Sequence, residues 1–264
     1  MCATTTLSAG EHSTFGGATD ERSRRKQLFQ DPSPDAGQRV IVIDLRLTLT
    51  APLGVWLSTA MRAVDHCVET VCSVSPVPEA TEAALKGIRQ LVPARKMLTI
   101  SMRVSRQSMK GAVLYNVKLG ASHGIGHQLG PLGVRHAETT CVLLPAVLKY
   151  NVRVNGAQQK LVLDALRAEP VVADVLQNGY SLEKGIADLG DAIDTIIRAR
   201  GLPRVRSHYG IGRDKLHGIA AAGLADWMCR TNPVPLETKE QVWDILEQCL
   251  WLDSTDLRFI SRLK

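Results

Sequence analysis

The sequence predicts a mainly α protein: a multi-helical domain over residues 51–264, preceded by a short β-hairpin and loop segment over residues 1–50. Three observations lead there. Gly, Thr, Ser and Pro punctuate the first fifty residues ("STFGGATD", "QDPSPDAG"), leaving room only for short strands and turns. From Leu53 onward, apolar residues recur at the three- and four-residue spacing of a helix face. Helix start and stop signals then bracket the later segments. With 264 residues and 45% hydrophobic content, the chain has material for one large core.

Taken in order, the clearest strand is "RVIVIDL", Arg39 to Leu45, an apolar and β-branched run bounded by turn residues. The glycines of "TFGGATD" read as a hairpin turn. Next, "LGVWLSTAMRAVDHCVETVCS" places Val55, Leu57, Met61, Val64 and Val68 along one side of a helix. Pro78 opens "PEATEAALKGIRQLV", because proline suits the first helical turn, where its missing N–H would find no partner. A long helical segment is expected from about Leu98 to Leu119. Further helices are expected at "AVLKYN", "QQKLVLDALR" and "IADLGDAIDTIIRARG", the last stopped by Gly201 and Pro203. Thr238 and Gln241 have capping-box spacing ahead of "KEQVWDILEQCL".

Composition narrows the function. No apolar run approaches the ~20 residues of a bilayer span, and "MCATTTLSAGEHSTF" has neither the basic start nor the apolar core of a secretory signal. A soluble, cytoplasmic protein is expected; the terminal "SRLK" departs from a peroxisomal address by its last lysine. The formal charge of +6 raises nucleic-acid binding as a reading. Basic residues outside "ERSRRK" alternate with acids, however, and aromatics make up only 4%, too few to stack bases, so no nucleic-acid partner is expected. Cys2, Cys67, Cys72, Cys141, Cys229 and Cys249 form no C-x-x-C pair and are expected to be reduced thiols.

The stretch that points to chemistry is "GASHGIGHQLGPLGVRHAETT", Gly120 to Thr140, with three of the seven histidines among closely spaced glycines. Glycine inside a helix costs ~1 kcal/mol relative to alanine, so the concentration asks for a reason. His123 and His127 are four apart and share one face of any helix here, and His136 lies beyond a turn containing Pro131 and Gly133. A fourth imidazole, His66, sits in "RAVDHCVE" on the first long helix. Neutral imidazoles are common ligands for first-row metals, and three of them leave a position open for substrate. H-x-x-x-H without an intervening glutamate is also common by chance, and packed core or surface histidines are the alternative reading.

The run "SHGIGHQLGPLGVRHAETTCVLLPAVLKYN" resembles the metal-site signature of the iron-containing alcohol dehydrogenase superfamily, and "HAETTCVLLP" is especially similar to its maleylacetate reductase branch. "TTTLSAGEHSTFGGATD" is similar to the family's cofactor-side "PTTLSGSE", "VIVIDLRLTLTAPLGVWLSTAMRAVDHCVE" to its crossing into the helical domain, and "TNPVPL" to a late motif before the last helices. The resemblance implies hydride transfer between NAD(H) or NADP(H) and a carbonyl, alcohol or unsaturated oxo acid. It implies a divalent metal, iron or zinc, held by His66, His123 and His136. His127 would stand beside nicotinamide and substrate, and Thr5, Thr6, Leu7 and Ser8 would touch the cofactor. Gly124 and Gly126 would leave room for the nicotinamide ring.

Two departures shape the expectation. The family places a dinucleotide-binding domain ahead of the "TTLS" segment, and residues 1–50 contain no strand, Gly-rich turn and helix unit that would cradle a pyrophosphate, so this segment reads as a remnant of that domain. Arg62 stands where the metal-dependent members carry an aspartate ligand, four residues before His66. At ~4 Å and an effective dielectric near ~20, like unit charges repel by ~4 kcal/mol, doubled for a dication, so a guanidinium and a bound metal exclude each other. Asp65, next to His66, points about 100° away around the helix and is not expected to replace the ligand. Arg62 either supplies the fixed positive charge that stabilises an oxyanion, suited to an acidic substrate, or pairs with Asp65 or Glu69 and does no chemistry. Three functions stay open: an oxidoreductase of this type on an oxo acid or alcohol, a non-catalytic pseudoenzyme, and a cofactor-independent enzyme using His127 for acid–base work. A homodimer through an unpaired sheet edge in the first fifty residues is also expected.

Overall fold

The computed structural model describes residues 1–13, 15–23, 25–30, 38–42, 44–92, 117–178 and 188–249. The N-terminal part forms two short ladders. Strand β1 (Cys2–Ala3), β2 (Phe15–Asp20), β3 (Arg25–Gln30) and β4 (Ile41–Val42) pair as β1 with β4 in parallel and β2 with β3 antiparallel. The run "FGGATD" is therefore a strand and not the expected hairpin turn. The turn falls after Asp20, whose carboxylate accepts from the Arg22 N–H at 2.9 Å and the Ser23 hydroxyl at 2.7 Å. Gly17 stays in the strand because the Lys26 side chain crosses it: a Cβ there would meet Lys26 Cε at 2.6 Å. In "RVIVIDL" only Ile41–Val42 pairs. Asp44 instead caps α1 (Leu45–Thr48), accepting from the Arg46 N–H at 2.9 Å, so an N-cap competes successfully with the β-branched residues before it.

The rest of the described chain is helical, as the apolar periodicity predicts. Helix α2 spans Leu53–Val71, α3 Pro78–Leu91, α4 Ala121–Leu129, α5 Glu138–Arg167, α6 Pro170–Asn178, α7 Leu189–Ala199, α8 Leu216–Ala225, α9 Trp227–Arg230 and α10 Lys239–Gln248. The Thr238–Gln241 capping box is present. The helix expected from about Leu98 to Leu119 lies mostly outside the described residues. "AVLKYN" and "QQKLVLDALR" belong to one helix, α5, kinked at Asn155, where the Gln159 amide donates to the Leu148 carbonyl and to Asn155 Oδ1, both at 2.8 Å, and bridges the bend. No described helix is long and apolar enough to cross a membrane, and all six cysteines are free thiols.

Helix α5 divides the core. On one side Val64, Cys67, Ile88, Leu144, Leu148 and Ile193 join α2, α3, α5 and α7; on the other Ile125, Leu129, Leu143, Val147, Ile219 and Leu246 join α4, α5, α8 and α10. Each such side chain contributes ~1.5–3 kcal/mol by leaving water. The arrangement buries α2 on all sides from Ser58 to Val71, so its polar residues Arg62, Asp65, His66 and Glu69 have no route to solvent and must find partners inside.

Candidate functional site

Those four residues follow i, i+3, i+4, i+7 spacing, which puts them along one face of α2, facing the N-terminus of α4 and the start of α5. Glu69 closes the end of α4: its Oε2 accepts from the Gly120 N–H at 2.9 Å and its Oε1 from the Ser122 N–H at 3.0 Å, while Asn232 Oδ1 takes the Ala121 N–H at 3.1 Å. A carboxylate at a helix N-terminus satisfies orphan donors and complements the dipole. Asn232, from "TNPVPL", also forms a reciprocal amide pair with Asn151 of α5. Helix α4 is thereby fixed to both neighbours before its histidines begin.

Asp65 lies at the centre. Its Oδ2 accepts from the hydroxyls of Thr140 at 2.7 Å and Ser122 at 3.1 Å and from Arg62 Nη1 at 3.4 Å, and it stands 3.4 Å from His123 Nδ1. The expectation that Asp65 points away from the site is corrected: it is one turn from both Arg62 and Glu69, and α4 and α5 flank the whole face. Arg62, only 2% exposed, also donates from Nη1 to Thr140 Oγ1 at 3.0 Å, and its Nε–H has no partner. The ion pair with Asp65 anticipated for Arg62 is thus present.

The four histidines gather in two ring pairs. His66 and His123 lie with centroids 4.8 Å apart, and His127 and His136 stack at 6.3 Å with planes 4° from parallel. Nδ1 of His123 is 2.7 Å from Glu69 Oε2, and Nδ1 of His127 is 2.8 Å from Asp226 Oδ2. Nε2 of His123 and Nδ1 of His66 are buried without partners. Burial, then neighbouring positive charge, holds His66 and His123 well below the ordinary imidazole range. His136 is exposed, and the Arg62 charge is the first cause that holds its imidazole below the ordinary range. Burial and their mutual repulsion raise Asp65 to about 7, and burial raises Glu69 to about 7 against the donors that stabilise its charge. Strand β3 packs on α4 and on the 3-10 turn Gly130–Leu132, and brings half-buried Lys26 close enough to Arg62 that burial and that charge lower its pKa. The site gathers four imidazoles, of which His66, His123 and His136 are held neutral, beside a buried guanidinium that also feels the Lys26 ammonium.

Of the cofactor-side residues, Thr5 is exposed, Thr6 and Ser8 are half-buried, and Leu7 is buried, its N–H donating to Thr59 Oγ1 of α2 at 3.3 Å. The buried Leu7 thereby ties this segment to α2 through its backbone N–H. Gly124 and Gly126 make room for protein: a Cβ on Gly124 would meet Cys229 Sγ at 2.7 Å, and one on Gly126 would meet Thr139 Oγ1 at 3.0 Å. They let α4 approach α9 and α5 closely, which corrects the reading of them as space for nicotinamide.

Residues 56–250 match the C-terminal domain of the Fe-containing alcohol dehydrogenase family, and the chain belongs to that family. It is 35% identical to dehydrogenase ALT3 of Alternaria alternata over 92% of this chain and 68% of that protein. It is 33% identical to dehydrogenase FUM7 of Gibberella moniliformis over 92% of this chain and 62% of that one. Maleylacetate reductase from Rhizobium sp. strain MTP-10005 has the same fold, with a TM-score of 0.69 at 23% identity over 94% of this chain and 66% of that structure. The chain thus spans about two thirds of the length of these relatives.

The family implies a metal, and the residues can be tested for fit. Asp65, Glu69 and His123 bring ligand-type atoms within 4.8 Å of one another. Three of the four oxygens of these carboxylates are already taken by Arg62, Thr140, Ser122, Gly120 and His123. A cation there would also face the Arg62 guanidinium 3.4 Å from Asp65. The set fits an internal hydrogen-bond network and does not fit a tightly held divalent ion. Sequence reasoning missed Asp226, Thr140, Ser122 and Asn232; for Asp226 the available signal was an aspartate directly before "WMCR", where an N-cap is favoured.

Proposed function

We propose that this chain carries the substrate site of a nicotinamide-dependent oxidoreductase acting on an anionic oxo acid or hydroxy acid, with Arg62 in place of a metal. The observation that carries the reading is the buried Arg62 guanidinium, with an unpartnered Nε–H, beside four histidines. NAD(H) or NADP(H), when bound, supplies or takes the hydride; Thr5, Thr6, Leu7 and Ser8 would contact it. In oxidation Nε2 of His127 takes the hydroxyl proton, which makes the imidazolium, and in reduction that imidazolium gives the proton to the carbonyl oxygen. Arg62 stabilises the negative charge that develops on that oxygen, a role for a fixed cation away from water. Arg62 and Lys26 beside neutral imidazoles favour an anion, and a carboxylate matches a guanidinium donor well. His66, His123 and His136 gather beside this guanidinium and would converge on a metal only if it were removed.

Titration of the purified chain with NADH and NADPH, following nicotinamide fluorescence, tests the reading. Micromolar binding of one of them is expected. No binding up to millimolar concentration would overturn it and favour a non-catalytic protein.

A further inference from the structure

We infer that Asp226 is the positioning residue of His127: its carboxylate holds the ring in the tautomer protonated at Nδ1, leaving Nε2 to exchange the proton with substrate. The inference rests on the role proposed for His127, but its geometry is independent of it. The two side chains are buried and 2.8 Å apart. A carboxylate only accepts, so the proton between them belongs to Nδ1. Asp226 cannot turn away. Its Oδ1 accepts from the Met228 N–H at 3.0 Å, and its own N–H donates to the Gly223 carbonyl at 2.9 Å. His127 is held from the other side by α4, which approaches α9 closely at Gly124. The helix cap needs one oxygen, and serine or asparagine would supply it equally well. The second oxygen is what only aspartate adds, and His127 is its partner. Among the described residues, Nε2 of His127 has no hydrogen-bond partner, in keeping with an atom reserved for a ligand.

Asp226→Asn makes the test sharp. Its single carbonyl oxygen stays with the Met228 N–H, so the amide NH2 faces Nδ1 and forces that nitrogen to accept, moving the proton to Nε2. Asp226→Ser keeps the cap and removes the partner. Long-range proton–nitrogen NMR of the histidine rings reads the tautomer directly, with His127 assigned from the spectrum of His127→Gln. The expected results are Nδ1–H in the wild type, Nε2–H in Asp226→Asn, and loss of the single Nδ1–H form in Asp226→Ser. Nε2–H in the wild type, or an unchanged Nδ1–H form in a folded variant, overturns the inference. The wild-type spectrum alone decides if neither variant folds. Persistence of nicotinamide-dependent turnover in His127→Gln would refute the proton-transfer role and leave the tautomer result standing.

Discussion

Replacing Gly124 by alanine isolates the contact that seats the histidine helix. In an unobstructed helix the change gains ~1 kcal/mol. Here the new methyl would meet Cys229 Sγ at 2.7 Å, the Cys229 backbone nitrogen at 3.0 Å and Met228 Cβ at 3.3 Å. Overpacking of a tight site costs ~1–3 kcal/mol, and a clash that includes backbone belongs at the upper end, so about 2 kcal/mol of stability is lost after the helix gain. Gly218 is the control: it lies in α8, and a Cβ there meets nothing within 4 Å, so Gly218→Ala should gain ~0.5–1 kcal/mol. Urea denaturation reads both, as opposite shifts of midpoint at constant slope; with a slope of ~3 kcal/mol per molar, Gly124→Ala falls by ~0.7 M. A rise in midpoint for Gly124→Ala would refute the argument that the glycine exists for the approach of α4 to α9.

Other perturbations follow from the same network. Arg62→Leu leaves Asp65 buried without its cation and should cost ~3 kcal/mol at pH 8, by urea denaturation, since half of a buried pair is worse than none. The loss should shrink at pH 6, below the value of about 7 at which Asp65 takes up a proton, and equal losses at both pH values would contradict this. Asn232→Ala removes the acceptor for the Ala121 N–H and strands the Asn151 amide, so a loss of ~2 kcal/mol is expected; a neutral effect would show that α4 is held elsewhere.

What could be read in advance was whatever repeats locally. The period of α2, the proline opening α3 and the Thr238 capping box are near-neighbour signals, and each appears in the fold. "FGGATD" misled because glycine is as compatible with a strand crossed by a long side chain as with a turn, and the choice depends on Lys26 in the next strand. The histidines were legible from their density and from the family resemblance; their partners were not. Glu69 reaches His123 across 54 positions and Asp226 reaches His127 across 99, so neither pair leaves a spacing pattern. Asp65 was misjudged because helix angle alone ignores neighbours, and α2 is enclosed on every side.

Metal content tests the central claim, that a guanidinium occupies the place of a metal. The purified chain would be incubated with excess ferrous or zinc ion, desalted and analysed beside Arg62→Asp. The account predicts no stoichiometric metal in the wild type and about one ion per chain in the variant, where a carboxylate joins His66, His123 and His136. One tightly held ion per wild-type chain would contradict it, and no uptake by the folded variant would show that the three histidines do not converge.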